Sequence, residues 1–266
     1  HQEQFFALGT LIDLSLYDVS EATARQTGQE LEQAFMRMHG DWHAWQPGAL
    51  QRTNEQLATL ESFRAAPAVL PLLLEANRLS RLSGGLFNPA IGTLVGLWGF
   101  HNDAGPQGPQ PPAQGSRARG AQAPAGDDIT IGETTLLNRN AAVQYDLGAF
   151  AKGYAIDLSF DYLQSLGINN AVINAGGDLS VRGQHGERPW KIGIRHPRKN
   201  STMAWLEARD KESIFTSGDY ERFYIYKNQR YHHILDPRTG YPARGSTSVT
   251  VIHNDAGTAD AAATAL

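Results

Sequence analysis

No cysteine occurs in the 266 residues, which removes disulfides, thiolate nucleophiles and cysteine-ligated metals together. No apolar run approaches the ~20 residues that span a bilayer; the nearest, residues 69–74, is interrupted by Pro71. Positive charge is not in excess either. The 23 Lys and Arg stand against 27 Asp and Glu, a formal charge of -4, and no basic stripe is present to neutralise a run of phosphates, so nucleic acid is excluded as the expected partner. What remains is an ordinary globular composition with 41% hydrophobic residues, enough to bury a substantial core. The chain starts at His1 and not at an initiator Met, which is compatible with a removed signal peptide or a membrane-anchor segment upstream.

After a strand-like start at 5–17, apolar residues at helical spacing (Ala24, Leu31, Phe35, Met38) predict a helix over 21–38 that stops before Gly40. A second helix is expected over 68–82, ended by Gly84 and Gly85, and a shorter one over 90–98. Residues 102–127 turn to Gly, Pro, Gln, Ala and Ser and lack the large apolar side chains that would repay ordering, so they read as a flexible insertion. Beyond it strands dominate, at 142–146, 170–174, 190–195, 214–216, 222–226, 231–235 and 248–252, with a hairpin turn at 227–230. One helix is expected among them over 149–166 and another begins near Thr258. Strands and helices do not alternate regularly, so the expected class is α+β, with mixed, largely antiparallel sheets packed with helices in a single domain over 1–266.

Several short motifs could carry chemistry, and each has a plain structural alternative. The run from Asp146 to Asp157, DLGAFAKGYAID, joins a strand end to a helix start through small residues and places Lys152 in the first turn. That suits a phosphate group, or else Gly148 and Gly153 only permit tight packing. The paired glycines Gly176 and Gly177, with Asp178, let a ring or backbone donors approach closely, or else form a turn; Thr216 to Tyr220 reads the same two ways. His232 and His233 project to opposite faces of a strand, so only one can enter a given cleft. Asp260 and Thr264 share one helical face among small residues, a hard-oxygen pair suited to Mg²⁺, although Asp260 could equally complement a helix dipole.

In order along the chain, Leu8-Gly9-Thr10, Gly85 to Pro89, Leu97 to Phe100, Asp146 to Asp157, Gly176 to Asp178, Thr216 to Tyr220, His233 to Pro237 with Gly240 and Pro242, and Asp260 to Thr264 resemble the ApbE family of FAD:protein FMN transferases. The resemblance implies that Leu8, Trp45, Leu86, Phe87, Asn88, Asp146, Lys152 and Ile234 surround FAD, together with Gly176, Gly177, Asp178 and Thr216. It implies Mg²⁺ held by Asp260 and Thr264 with the backbone carbonyls of Ala149 and Ala263. Leu8 stands where the family usually has Met, which keeps an apolar contact and loses a polarizable thioether.

The reaction so implied moves FMN from FAD to a Thr or Ser hydroxyl of an acceptor protein and releases AMP, with His233 as general base and Lys152 assisting the metal. By the same resemblance the acceptors are flavin subunits of respiratory or redox complexes, and the location is periplasmic. Two other readings use the same residues: an FAD pyrophosphatase that gives FMN and AMP, and a flavin-binding protein without turnover.

Overall fold

The computed structural model describes residues 1–101, 111–112, 124 and 128–266. The expected insertion at 102–127 therefore lies, apart from 111–112 and 124, outside the described residues. Contacts group the chain into two compact units, each assembled from separated stretches. Residues 1–39, 150–217 and 248–263 make one; 40–149, 218–247 and 264–266 make the other. No helix among the described residues is long and apolar enough to cross a membrane.

The first unit is built on a six-stranded sheet. Its strands are β1 (Gln2–Ala7), β2 (Thr10–Tyr17), β6 (Asn170–Ala175), β7 (Asp178–Arg182), β10 (Glu212–Gly218) and β15 (Ser248–His253), in that order across the sheet. β1–β2, β2–β6, β6–β7 and β7–β10 are antiparallel. The strand-like start is thus a hairpin, not one strand. Leu8 (φ 51°) and Gly9 (φ 75°) both adopt left-handed conformations, the backbone of a two-residue hairpin turn, and a leucine at the first position gives no compositional hint of it.

Period-two burial of Ile12, Leu14 and Leu16 on β2, and of Ala171, Ile173 and Ala175 on β6, defines the core face. The opposite face of β7 is also covered. Leu179, Val181 and Ile214 pack with Ile192 and Leu206 from the antiparallel pair β8 (Trp190–Arg195) and β9 (Thr202–Ala208). The helix α5 (Ala151–Ser165) buries Ala151, Ala155, Ile156, Phe160 and Leu163. The last helix, α6 (Ala256–Ala265), is made almost wholly of Ala, Gly and Thr around Asp260.

The second unit contains α2 (Ala49–Leu57), α3 (Leu70–Leu82) and α4 (Gly92–Leu97). It also holds a three-stranded sheet in the order β3 (Phe63–Arg64), β5 (Thr135–Asn138), β4 (Ile129–Ile131), and two small pairs, β11 (Phe223–Tyr226) with β12 (Gln229–His232) and β13 (Leu235–Asp236) with β14 (Tyr241–Pro242). One core cluster joins Leu94, Trp98 and Phe100 to Leu235, and the Trp98 indole N–H donates to the carbonyl of Gly240 at 2.9 Å.

Three further expectations are corrected. The first helix, α1, runs Glu21–Trp42 straight through Gly40, because Trp42 is buried and its indole donates to the carbonyl of Ala68 at 2.9 Å. The expected strand at 142–146 is irregular chain with a single bridge from Gln144 to Ile91; its apolar positions Val143, Tyr145 and Leu147 are buried without ladder partners. The strand at 231–235 breaks at His233 and Ile234 into β12 and β13.

Candidate functional site

In the first unit the start of α5 meets the middle of α6 and the start of β7. The ammonium of Lys152 lies 3.3 Å from Asp178 Oδ2 and 3.6 Å from Asp260 Oδ1. The N–H of Gly153 donates to Asp260 Oδ2 at 3.0 Å, and the N–H of Thr216 on β10 donates to Asp178 Oδ1 at 2.8 Å. Thr216 Oγ1 is 2.8 Å from Thr250 Oγ1. Lys152, Asp178, Thr216 and Asp260 are therefore one cluster joined by ion pairs and hydrogen bonds.

Asp260 is 3% exposed, and two carboxylates share one ammonium. Burial lowers the pKa of Lys152, but Asp260 and then Asp178 raise it by more, so the lysine stays charged. Burial raises the pKa of Asp260; Lys152 pulls it down, Asp178 pushes it up, and the net result is upward. If both carboxylates ionise, the cluster keeps one negative charge in excess.

Gly176 and Gly177 make the turn between β6 and β7 with φ of 67° and 105°. The Gly176 N–H donates across to the carbonyl of Leu11 on β2 at 3.0 Å, and the Gly177 N–H donates within the turn to Asn174 Oδ1 at 2.7 Å. A Cβ on Gly176 would stand 2.1 Å from Thr10 Oγ1. The motif forms a turn, and Asp178 bonds Lys152 and the N–H of Thr216. Leu8 sits half-buried at the β1–β2 turn, its N–H donating to His39 Nδ1 at 3.1 Å.

In the second unit Trp45 and Asp146 are brought together: the indole N–H donates to Asp146 Oδ2 at 2.9 Å, and Gly148 N–H donates to Oδ1 at 3.0 Å. The backbone N–H of Asp146 donates to the carbonyl of Pro89 at 2.8 Å, which ties it to the segment carrying Leu86, Phe87 and Asn88. Phe87 is buried, Leu86 half-buried, and the Asn88 amide donates to the carbonyl of Pro124 at 2.9 Å. The Trp45 ring lies 5.0 Å from that of His101, and the neighbouring Phe100 ring lies 6.3 Å from that of His233.

The two histidines differ in burial and in partners, and only His232 lies in a strand. His232 is 7% exposed, with Nε2 2.9 Å from the carbonyl of Ala243, and it lines a cavity of about 340 Å³ with Asp219, Arg230, Tyr241 and Arg244. None of the residues expected to hold flavin or metal lines that cavity. His233 is half-buried, with Nδ1 3.2 Å from the carbonyl of Arg222. A carbonyl only accepts, so in the neutral ring Nδ1 carries the proton and the basic lone pair is on Nε2. Ile234 follows, its carbonyl accepting from Ala243 N–H at 2.8 Å.

Asp260 and Thr264 lie one turn apart on α6, with Ala263 beside them, while Ala149 directly precedes the N-cap of α5. One residue was quoted in the sequence without a role. Asp157, one turn after Gly153 on α5, accepts the N–H of Ala256 at 3.0 Å and of Gly257 at 2.8 Å. Its four-residue spacing from Gly153 was the available signal.

The ApbE family profile matches residues 8–266. A Rhodobacter capsulatus protein named FAD:protein FMN transferase is 43% identical over 264 residues, 99% of this chain and 50% of that protein. A Treponema pallidum protein of the same name is 32% identical over 278 residues, 97% of this chain and 75% of that protein. Among solved structures, the ApbE protein of Thermotoga maritima superposes with a TM-score of 0.89 at 31% identity, covering all of this chain and 85% of that one. Flavin transferase ApbE from Vibrio cholerae gives 0.84 at 28%, with the same coverage. The chain spans half the length of the Rhodobacter relative. The fold is thus matched over its full extent, and the profile runs unbroken from the β1–β2 turn through the Lys152 cluster to the end of α6: this chain belongs to the ApbE family.

Proposed function

We propose that this chain transfers FMN from FAD to a Thr or Ser hydroxyl of an acceptor protein, releasing AMP, in a Mg²⁺-dependent reaction. The observation that carries the reading is the 43% identity across 99% of the chain to a protein named FAD:protein FMN transferase. The residues gathered around Lys152 supply chemistry consistent with it. The acceptor oxygen bonds to the phosphorus on the riboflavin side of the pyrophosphate, the bond from that phosphorus to the AMP oxygen breaks, and the hydroxyl proton passes to a base. His233, with its basic lone pair on Nε2, is the proposed base. Lys152 adds positive charge near the pyrophosphate.

The donor set fits the metal. A buried carboxylate held upward in pKa, beside a second carboxylate and a single ammonium, lacks positive charge that a divalent cation restores. No group of three or more His, Cys, Asp or Glu side chains suited to a metal lies among the described residues. A cation here would therefore draw on Asp260, Thr264, the carbonyls of Ala149 and Ala263, water and substrate phosphates, which is the habit of Mg²⁺. When bound, Mg²⁺ supplies charge neutralisation on the pyrophosphate and the departing AMP. The acceptors proposed are flavin subunits of respiratory or redox complexes in the periplasm.

Product analysis tests this reading. With FAD and Mg²⁺, AMP release that requires an acceptor domain supports transfer. Equal yields of AMP and free FMN with and without the acceptor point to hydrolysis, and intact FAD in both points to a carrier.

A further inference from the structure

We propose that Asp157 is a positioning residue that fixes the register of α6, and so sets where Asp260 stands relative to Lys152 and Gly153. This rests on the role proposed above for Asp260. Two helices meet here through contacts one turn apart on each. At one level Lys152 and Gly153 of α5 hold the carboxylate of Asp260. One turn on, Asp157 of α5 takes the first two N–H groups of α6, Ala256 through Oδ1 and Gly257 through Oδ2. The next N–H, of Thr258, goes to Asp255 Oδ1 at 2.7 Å, the ordinary cap from the preceding residue.

The end of α6 therefore carries two caps, and the second comes from a different helix. A cap from the same strand of chain steadies a helix; one from a neighbouring helix also fixes its translation and rotation. Spacing allows nothing looser. A Cβ on Gly153 would stand 2.2 Å from the carbonyl oxygen of Ala256, so the helices touch backbone to backbone. Arg182 of β7 keeps Asp157 in place, with its guanidinium 3.9 Å from Oδ1 and 4.3 Å from the Phe160 ring centroid. Because Asp157 consumes the N–H groups of Ala256 and Gly257, those donors are not offered to a substrate phosphate. The end of the helix serves placement, and its middle, Asp260, serves chemistry.

The test compares Asp157→Asn with Ser159→Ala in the full chain. Ser159 bonds only the carbonyl of Ala155 within α5, and its variant reports general destabilisation. Asparagine keeps the shape but offers one acceptor and turns its NH₂ on the other N–H. Two readouts are taken: amide exchange of the Gly153 N–H, which bonds Asp260, and the Mg²⁺ midpoint of the melting-temperature rise with ADP as pyrophosphate probe. Loss of a cap opens the contact roughly 5- to 30-fold more often, so Gly153 exchange should accelerate by that factor in Asp157→Asn beyond any change in Ser159→Ala. The Mg²⁺ midpoint should rise roughly 10- to 100-fold, as when a supporting partner of a ligand is lost.

Equal Gly153 exchange in the two variants overturns the proposal. A Mg²⁺ midpoint in Asp157→Asn equal to that of a wild type that responds to Mg²⁺ overturns it too. If Gly153 exchange accelerates while the wild type itself shows no Mg²⁺ response, positioning stands and the metal reading of Asp260 falls. Should Asp157→Asn not fold, Arg182→Gln leaves both acceptor oxygens and removes the cation beside them. It is read the same way, with roughly 3-fold changes expected for a lost partner charge, and equality with Ser159→Ala overturning the proposal.

Discussion

Lys152 lies between the buried carboxylate of Asp260 and the half-buried one of Asp178, and its removal exposes what it balances. In Lys152→Met, Asp178 and Asp260 face each other without a cation. Breaking a buried ion pair from one side costs about 3 to 5 kcal/mol, and here two pairs share the lysine. Urea unfolding should show a loss of that order at pH 8 and a smaller one at pH 5, where Asp260, already raised, takes up a proton. A loss equal at both pH values contradicts the charge balance described. Asp157 sets a second pH dependence. Burial lifts its pKa to about 6, against the pull of the Gly257 and Ala256 N–H groups. A carboxylate raised above its unfolded value contributes stability that is full below about pH 3.8 and is lost as pH rises through about 6. Between pH 4 and 7 that amounts to up to about 3 kcal/mol. Asp157→Asn should flatten this decline in metal-free protein, and an unchanged slope would assign it elsewhere.

At the level of elements, the pair α5 and α6 is set by one glycine. Gly153→Ala puts a methyl 2.2 Å from the Ala256 oxygen and 2.6 Å from its carbonyl carbon. Backbone cannot yield as a flexible side chain does, so a cost of about 1 to 3 kcal/mol or more is expected, with a matching fall in melting temperature. Gly148→Ala, whose Cβ meets only Asp146 Oδ1 at 3.2 Å, should cost far less. The sequence signalled α5 because its apolar positions keep helical period and its start is marked by glycines. It did not signal α2, whose core positions include Thr53 and Asn54; these are satisfied by the Ala49 carbonyl and by the backbone of Tyr145, a partner 91 residues away that no local pattern reveals. β7 was missed for a related reason: it is buried on both faces, with Ser180 paired to Ser213 at 2.7 Å, so polar and apolar residues do not alternate with exposure. The turn at Lys227 and Asn228, both at positive φ, was legible through its asparagine. Where the β-ladder stops after His232, the two histidines separate. His233→Ala should lower transfer by roughly 100- to 10,000-fold with little change in FAD affinity, and His232→Ala, which loses a structural bond to Ala243, should chiefly lower stability. Rates of the two variants that fall equally at matched stability would remove His233 as base.

Across the whole molecule, the site is spelled by short motifs scattered from Leu8 to Thr264, and the fold collects them in two units that each draw on distant stretches of chain. Their order was readable because each motif has its own composition. Their partners were not: that Lys152 would meet Asp178 as well as Asp260, or that Trp45 would bond Asp146, depends on long-range packing. The central claim, that these residues serve the movement of FMN onto another protein, is tested most directly by intact mass spectrometry of an acceptor domain after incubation with FAD and Mg²⁺. Wild-type chain is predicted to add the mass of one FMN less water at a Thr or Ser, with AMP formed in equal amount. Asp260→Ala should lose this product at the Mg²⁺ concentration that saturates wild type, with at least a roughly 100-fold lower rate. An acceptor that stays unmodified while FAD is consumed, or an Asp260→Ala variant as fast as wild type, would contradict the account.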